Sequence, residues 1–164
     1  MTTAADQWTT VKRPVRGKGG VVAAQHIRAA EAGADLLAQG GNAVDAAIAA
    51  ALALGAVEPW MCGIGGSGFM VIWLAAERRA VALDFQGVLP QALTPDDYPI
   101  DASLPATSMG FPAVVNFANT QGARAVTVPG AVAGFEHALR RFGRKSLAEV
   151  LQPAIRLAET GIPA

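Results

Sequence analysis

The segment with the clearest chemical pattern is the glycine-rich run Gly63-Ile64-Gly65-Gly66-Ser67-Gly68, which satisfies the spacing G-x-G-x-x-G of dinucleotide-binding loops. That chemistry needs a strand before the glycines and a helix after them, because the first N–H groups of the helix bind the pyrophosphate. Here the apolar pattern places a helix first and a strand afterwards. We therefore interpret the run as structural, with glycines that allow positive φ and close backbone approach where a strand begins.

A thiol nucleophile is the second chemistry to consider, since Cys62 precedes this run and His26 or His137 could act as its base. Cys62 lies among apolar residues and glycines with no charge nearby to activate it, so we interpret it as a small buried hydrophobe. His137 fits a solvated helix face, and His26 fits a buried imidazole with a partner. One cysteine and two histidines cannot form a four-ligand zinc site, and we predict neither metal nor cofactor.

Polar residues also stand where a predicted strand ends. Asp84 and Gln86 flank Phe85 just before a long loop, where polar groups can line a ligand pocket. Ordinary strand termination explains Asp84 slightly better from the residues alone. The carboxylates of Asp96 and Asp97 lie in a proline-bounded loop, which favours a turn or a helix cap over acid–base chemistry. The residues by themselves therefore supply no nucleophile–base pair.

The candidate residues lie on predicted helices and strands that follow one another in mixed order. Asn42 is a suitable N-cap for a helix that is apolar nearly all round apart from Asp45, which predicts burial, and Gly55 is expected to end that helix. Residues 86–125 are predicted to form a long loop. The predicted elements are the strands Val21–Gln25, Phe69–Ala75, Ala80–Phe85 and Val126–Val128, and the helices Ala29–Gln39, Ala43–Leu54, Ala131–Arg141, a short one opened by Ser146, and Pro153–Thr160. The second and third strands are predicted to form an antiparallel hairpin around the charged turn Glu77-Arg78-Arg79, and Gly40-Gly41 is expected to stop the first helix.

The composition excludes several classes of protein. The 164 residues include 13 basic and 13 acidic side chains, 52% hydrophobic residues and 16% charged ones, which predicts a folded chain. Zero net charge argues against nucleic acid and anionic lipid as partners, and no apolar stretch has the roughly 20 residues of a membrane helix. We divide the chain into a mobile N-terminal arm, residues 1–20, and a domain portion, residues 21–164.

From about Gly20 onwards the sequence resembles the front of the γ-glutamyltranspeptidase family. The resemblance rests on several motifs that occur in the family's order along nearly the whole chain. They are Val22–His26, Ala30–Leu37, Gln39–Ala47, Val57–Met70, Leu83–Phe85, Ala125–Gly134 and Leu151–Glu159.

The resemblance implies an α+β fold, the four-layer αββα sandwich of the N-terminal-nucleophile hydrolases, of which this chain would be a part. It also implies a precursor (a zymogen) that cuts itself into a large and a small subunit. The small subunit's new N-terminal threonine would attack γ-glutamyl amides such as glutathione, forming an acyl-enzyme that water or an amine releases. No threonine of this chain stands in a matching context, so the implied partners are the remainder of the large subunit and the small subunit.

One departure from the family concerns its substrate contact. The family usually has an arginine directly after the Asp-Phe pair, gripping the α-carboxylate of the glutamyl group, whereas this chain has Gln86. Gln86 is thus the predicted substrate-binding residue, and an amide binds a carboxylate less strongly than a guanidinium does. This departure motivates one alternative, an acylase or amidohydrolase of the same fold with non-glutamyl specificity. A separate alternative is a non-catalytic binding or scaffold homologue. A cytoplasmic location is expected, with export after signal removal as the alternative.

Overall fold

The computed structural model describes residues 14–107 and 110–162, so most of the predicted N-terminal arm lies outside the described residues. Four helices and one two-stranded antiparallel sheet make up the regular structure of this part. The helices are α1 (Ile27–Ala38), α2 (Ala43–Val57), α3 (Ala131–Phe142) and α4 (Leu147–Thr160), and the strands are β1 (Gly68–Leu74) and β2 (Arg79–Phe85). None of the described helices combines the length and apolar character that crossing a bilayer requires.

Helices α1 and α2 form a closely packed hairpin because small residues line their contact. A Cβ on Gly33 would lie 2.7 Å from the Ala46 carbonyl oxygen, so only glycine fits there. The turn between the helices is a Schellman motif: Gly41 N–H donates to the Leu36 carbonyl, and Gly40 N–H donates to that of Leu37 with φ of 84° at Gly40. The predicted stop at these two glycines is confirmed.

The predicted hairpin is confirmed, with a register that pairs Gly68 with Phe85 and Leu74 with Arg79. Alternate residues of β1 point to opposite faces of the sheet. One face carries Met70, Ile72 and Leu74, which pack with residues of α2, α3 and α4 in the main hydrophobic core. The other face carries Phe69, Val71 and Trp73, which are 68%, 74% and 63% exposed.

The predictions of two strands, Val21–Gln25 and Val126–Val128, are wrong, because neither segment forms a regular strand. Residues 21–25 pair with no strand in the described part of the chain, and lie instead beside the alanine-lined surface of α2. Val128 forms a single antiparallel bridge with Val88, in which each N–H donates to the other residue's carbonyl, and no further pair of these two described segments joins it. A β-rich sequence therefore forms a ladder only where a partner backbone lies alongside it.

Two predicted helix boundaries are also wrong. Helix α2 continues through Gly55 to Val57, because Ala53 and Val57 on either side are both fully buried and tertiary packing outweighs the weak propensity of glycine. Helix α4 is continuous, with Pro153 inside it rather than at the start of a separate helix. The apolar contacts of Val150 and Ala154 hold this helix together across the missing hydrogen bond.

Side-chain contacts join the early part of the long segment that follows β2 to its last residues. Arg124 forms an ion pair with Asp97 at 3.2 Å and lies over the ring of Tyr98, whose hydroxyl donates to the Arg124 carbonyl at 2.6 Å. Three short 3-10 turns, Pro95–Asp97, Val115–Phe117 and Ala123–Ala125, interrupt the loop. The predicted turn at Asp96 and Asp97 is confirmed, and the segment returns to its starting point through the Val88–Val128 bridge.

Candidate substrate-binding site

Phe85 is held where β2 ends by a surface made of glycines. A Cβ on Gly134 of α3 would lie 2.3 Å from the Phe85 ring, and one on Gly130 would lie 2.2 Å from the Phe85 carbonyl oxygen. The ring of Phe135 meets that of Phe85 edge to face, with centroids 5.6 Å apart. The end of β2 therefore has one position against α3, and this position fixes where the next residue, Gln86, begins.

Gln86 directly follows this anchored strand end, and its side chain is exposed. Its N–H donates to Asp84 Oδ1 at 3.0 Å, a local turn around Phe85. Its side-chain oxygen Oε1 accepts the hydroxyl of Ser67 at 3.2 Å. The hairpin register explains this contact, since the pair Gly68–Phe85 places Ser67 and Gln86 opposite each other one residue further along.

The glycine-rich run that carries Ser67 is fastened to the start of α3. The Gly66 carbonyl accepts N–H groups from both Gly130 and Ala131, at 3.2 and 3.1 Å. Gly63 and Gly65 do not have positive φ, and a Cβ at either position would meet nothing within 4 Å. Our interpretation of these two glycines as a close backbone approach is therefore wrong for the described residues, although Gly68 does lie against the Phe85 ring.

The candidate thiol and imidazole groups have other environments. Cys62 is half-buried rather than buried, and it lines a cavity of about 230 Å³ that also reaches Ser67 and Phe135. His26 is half-exposed, correcting the buried imidazole that we expected; its Nδ1 accepts the Arg28 N–H and caps α1. His137 is exposed on α3, as predicted. The structure thus assigns His26 a capping contact instead of a base next to Cys62.

The groups at the end of the hairpin are suited to contacting a polar ligand and include no nucleophile–base pair. Gln86 is neutral and Asp84 carries an exposed carboxylate, so the adjoining groups sum to one negative charge at neutral pH. An amide and a hydroxyl in mutual contact can orient a polar ligand through donors and acceptors. The sequence analysis did not predict Ser67 as a partner of Gln86. The signal that could have paired them was the antiparallel arrangement of the two apolar runs on either side of the charged turn.

Comparison with known proteins identifies the family of this chain. The family model described as Gamma-glutamyltranspeptidase matches residues 29–164. The chain belongs to the γ-glutamyltranspeptidase family.

Three relatives show how much of the family's architecture this chain represents. It is 41% identical to a glutathione hydrolase proenzyme of Bacillus subtilis, over 90% of this chain and 24% of the relative. It is 44% identical to the acylase ACY 1 proenzyme of a Pseudomonas strain, over 94% of this chain and 27% of the relative. A crystal structure of the Helicobacter pylori γ-glutamyltranspeptidase superposes with a TM-score of 0.76 at 39% identity, covering 91% of this chain and 40% of that one.

These matches confirm the predicted fold class. The γ-glutamyltranspeptidase-family chain is α+β and corresponds to a portion of the αββα fold of the N-terminal-nucleophile hydrolases. It spans about a quarter of the length of the first two relatives, both of which are named proenzymes. The chain therefore corresponds to one part of a longer polypeptide in the proteins it resembles.

Proposed function

We propose that this chain is the front portion of the large subunit of a γ-glutamyltranspeptidase-like amidohydrolase. The enzyme would cleave γ-glutamyl amides of the glutathione type and transfer the acyl group to water or an amine. Family membership supports the class of reaction. The observation that supports a role for this chain is Gln86, an exposed side chain anchored at the strand end, where the family resemblance implies an arginine that binds the α-carboxylate.

The proposed reaction uses a threonine outside this chain. Its hydroxyl oxygen attacks the amide carbonyl carbon while the free α-amine of the same residue takes the hydroxyl proton. The tetrahedral intermediate collapses, the C–N bond breaks, and that proton passes to the leaving amine. Water or an acceptor amine then attacks the resulting ester, restoring the threonine hydroxyl and releasing the acid or a new amide. In this scheme Gln86 orients the acyl group and touches no reacting atom.

The partners that we propose are the remainder of the large subunit and the small subunit with its threonine. The exposed aromatic and aliphatic face of β1, formed by Phe69, Val71 and Trp73, supports a further layer over this sheet. Glu58 gives a second indication: it is 7% exposed, and its Oε2 has no hydrogen-bond partner within the part of the chain that the structure describes. Buried carboxylate oxygens are normally paired, so a segment outside this part would supply the donor.

A second candidate function is an acylase with non-glutamyl specificity. The observation that favours it is the neutral amide of Gln86 next to the Asp84 carboxylate, which offers no positive charge to an α-carboxylate. A charge-assisted hydrogen bond contributes about 1.5–3 kcal/mol, against about 1 kcal/mol for a neutral one. The 44% identity to a protein named an acylase agrees with this candidate.

The test uses the full-length precursor. Mass spectrometry after purification shows whether the precursor cuts itself to expose a threonine, and turnover is measured with γ-glutamyl-p-nitroanilide and glutaryl-p-nitroanilide. Preference for the first supports the transpeptidase, and preference for the second supports the acylase. A precursor that stays intact and turns over neither amide would be a non-catalytic scaffold, which contradicts both enzymatic proposals.

A further inference from the structure

We propose that Ser67 is a specificity-determining positioning residue that sets the orientation of the Gln86 amide and thereby selects acyl groups with an uncharged hydrogen-bond acceptor. This inference rests on the second candidate function, the acylase with non-glutamyl specificity, in which Gln86 binds the acyl group. It adds a second residue, from the glycine-rich run, and a chemical class of ligand. The contact that supports it is the hydrogen bond in which the Ser67 hydroxyl donates to Gln86 Oε1 at 3.2 Å.

Both ends of this contact are fixed by backbone contacts that do not involve a ligand. On one side, Gly66 accepts N–H groups from Gly130 and Ala131 at the start of α3. On the other, Phe85 packs against Gly130 and Gly134, and the Gln86 N–H donates to Asp84. Ser67 and Gln86 are therefore neighbours because the strands are in register and both strand ends meet the same helix.

The contact leaves one end of the amide for a ligand. A glutamine side chain has an acceptor oxygen and a donor NH₂ group. Since Ser67 donates to the oxygen, the Nε2 group remains as the donor that can meet an incoming acyl group. A ligand at this position must then present an acceptor, such as a carbonyl oxygen or a carboxylate.

Charge decides between these two acceptors. Asp84 stands two residues before Gln86, and its carboxylate already accepts the Gln86 N–H. An arginine in place of Gln86 would balance that carboxylate, whereas the neutral amide leaves the negative charge uncompensated within this pair. A second carboxylate on the ligand would be repelled, so a carboxamide or other neutral carbonyl is the class that the pair selects.

The experiment compares two ligands that differ in this group alone. L-Isoglutamine carries an α-carboxamide where L-glutamate carries an α-carboxylate. Isothermal titration calorimetry gives the dissociation constant of each for the full-length protein and for Ser67→Ala, Ser67→Thr, Gln86→Ala, Gln86→Glu and the double variant Ser67→Ala/Gln86→Ala. Ser103→Ala is the matched control, because that hydroxyl hydrogen-bonds Asp101 instead of Gln86.

We expect the unsubstituted protein to bind isoglutamine more tightly than glutamate. Ser67→Ala should weaken isoglutamine binding about three- to tenfold, with Ser67→Thr restoring it, since one neutral hydrogen bond is lost and regained. In the Gln86→Ala background the same Ser67 substitution should have no further effect. Gln86→Glu should keep the contact to Ser67 but lose isoglutamine binding, because the donor is gone.

The inference is overturned if Ser67→Ala weakens binding equally with and without Gln86, if glutamate is preferred, or if neither ligand binds saturably. Failure of this inference can be distinguished from failure of the proposed function, because processing and p-nitroanilide turnover are measured on the unsubstituted protein. A protein that processes itself and turns over an amide, but binds both ligands independently of Ser67, would contradict this inference alone. An unprocessed protein that shows the coupling would contradict only the proposed catalysis.

Discussion

Asp45 accepts the backbone N–H of Arg144 on both carboxylate oxygens, at 3.0 and 3.1 Å, across 99 residues of chain. The same buried carboxylate also accepts N–H groups from Asn42 at 2.7 Å and from Lys145 at 3.1 Å. One side chain therefore completes the capping box of α2 and fastens it to the turn between α3 and α4. A buried anion is stable here because several donors replace its lost hydration.

Replacing this carboxylate should destabilise the fold. In Asp45→Asn one acceptor oxygen becomes an NH₂ group that faces backbone donors, so we expect the free energy of unfolding to fall by about 2 kcal/mol. Urea unfolding of the full-length protein, followed by circular dichroism, measures the change. Asp35→Asn, an exposed position on α1, is the matched control and should differ little from the unsubstituted protein. Equal stability of the two variants would contradict the role given to Asp45.

Gly134 should not tolerate a methyl group. Alanine is favoured over glycine by about 1 kcal/mol inside a helix, but its Cβ would lie 2.3 Å from the Phe85 ring. We expect Gly134→Ala to cost about 1–3 kcal/mol net, as overpacking does, and to weaken ligand binding at Gln86 by displacing the strand end. Gly63→Ala, where the added Cβ meets nothing within 4 Å, is the control. Thermal unfolding and calorimetric titration report the two effects, and an unchanged midpoint for Gly134→Ala would refute the packing argument.

Arginine at position 86 should change which acyl group is preferred. Gln86→Arg supplies a bidentate, charge-assisted contact and balances Asp84, so kcat/KM for γ-glutamyl-p-nitroanilide relative to glutaryl-p-nitroanilide should rise about ten- to a hundredfold. The equivalent charge change at the exposed Gln91 serves as the control and should leave the ratio unaltered. Should Gln86→Arg also leave the ratio unaltered, position 86 does not face the α-carboxylate.

The N-terminal cap of α4 should make the stability of the fold depend on pH in the acidic range. The Ser146 N–H and hydroxyl donate to Glu149 at 2.8 and 2.7 Å, and these bonds lower the pKa of Glu149 below its ordinary 4.5. Because the charged form is favoured in the folded state, the contribution is present above pH 4.5 and is lost as the pH falls through the lower folded value. Glu149→Gln should therefore melt at a lower temperature than the unsubstituted protein at pH 7.

The difference in melting temperature should narrow as the pH falls below 4.5 and close once the pH is below the lowered pKa of the folded Glu149, since both side chains are then neutral. Scanning calorimetry from pH 7 down to pH 3 follows this convergence. Glu136→Gln, which changes the same charge on a residue paired with Arg140 at 3.7 Å, controls for the overall charge. A difference for Glu149→Gln that stays constant over this range would show that the ionised carboxylate contributes nothing.

Local patterns predicted the elements whose stability is mostly local. The β1–β2 hairpin followed from two β-rich runs around a charged turn, and the start of α2 followed from Asn42. The errors arose where contacts far along the chain decide the outcome. Gly55 does not end α2, and Pro153 does not begin a helix, because buried neighbours on both sides outweigh local propensity. Residues 21–25 have the composition of a strand but find no partner backbone among the described residues.

The candidate site likewise has features that the sequence predicted and features that required the structure. The sequence alone determined the family to which the chain belongs and singled out Gln86, because residue types and their order are properties of the chain itself. The three-dimensional arrangement was needed to show that Ser67 contacts Gln86, that Phe85 packs on Gly130 and Gly134, and that Asp45 binds the turn before α4. Strand register and helix packing bring such residues together, and these depend on contacts between distant segments, which no local pattern of residues encodes.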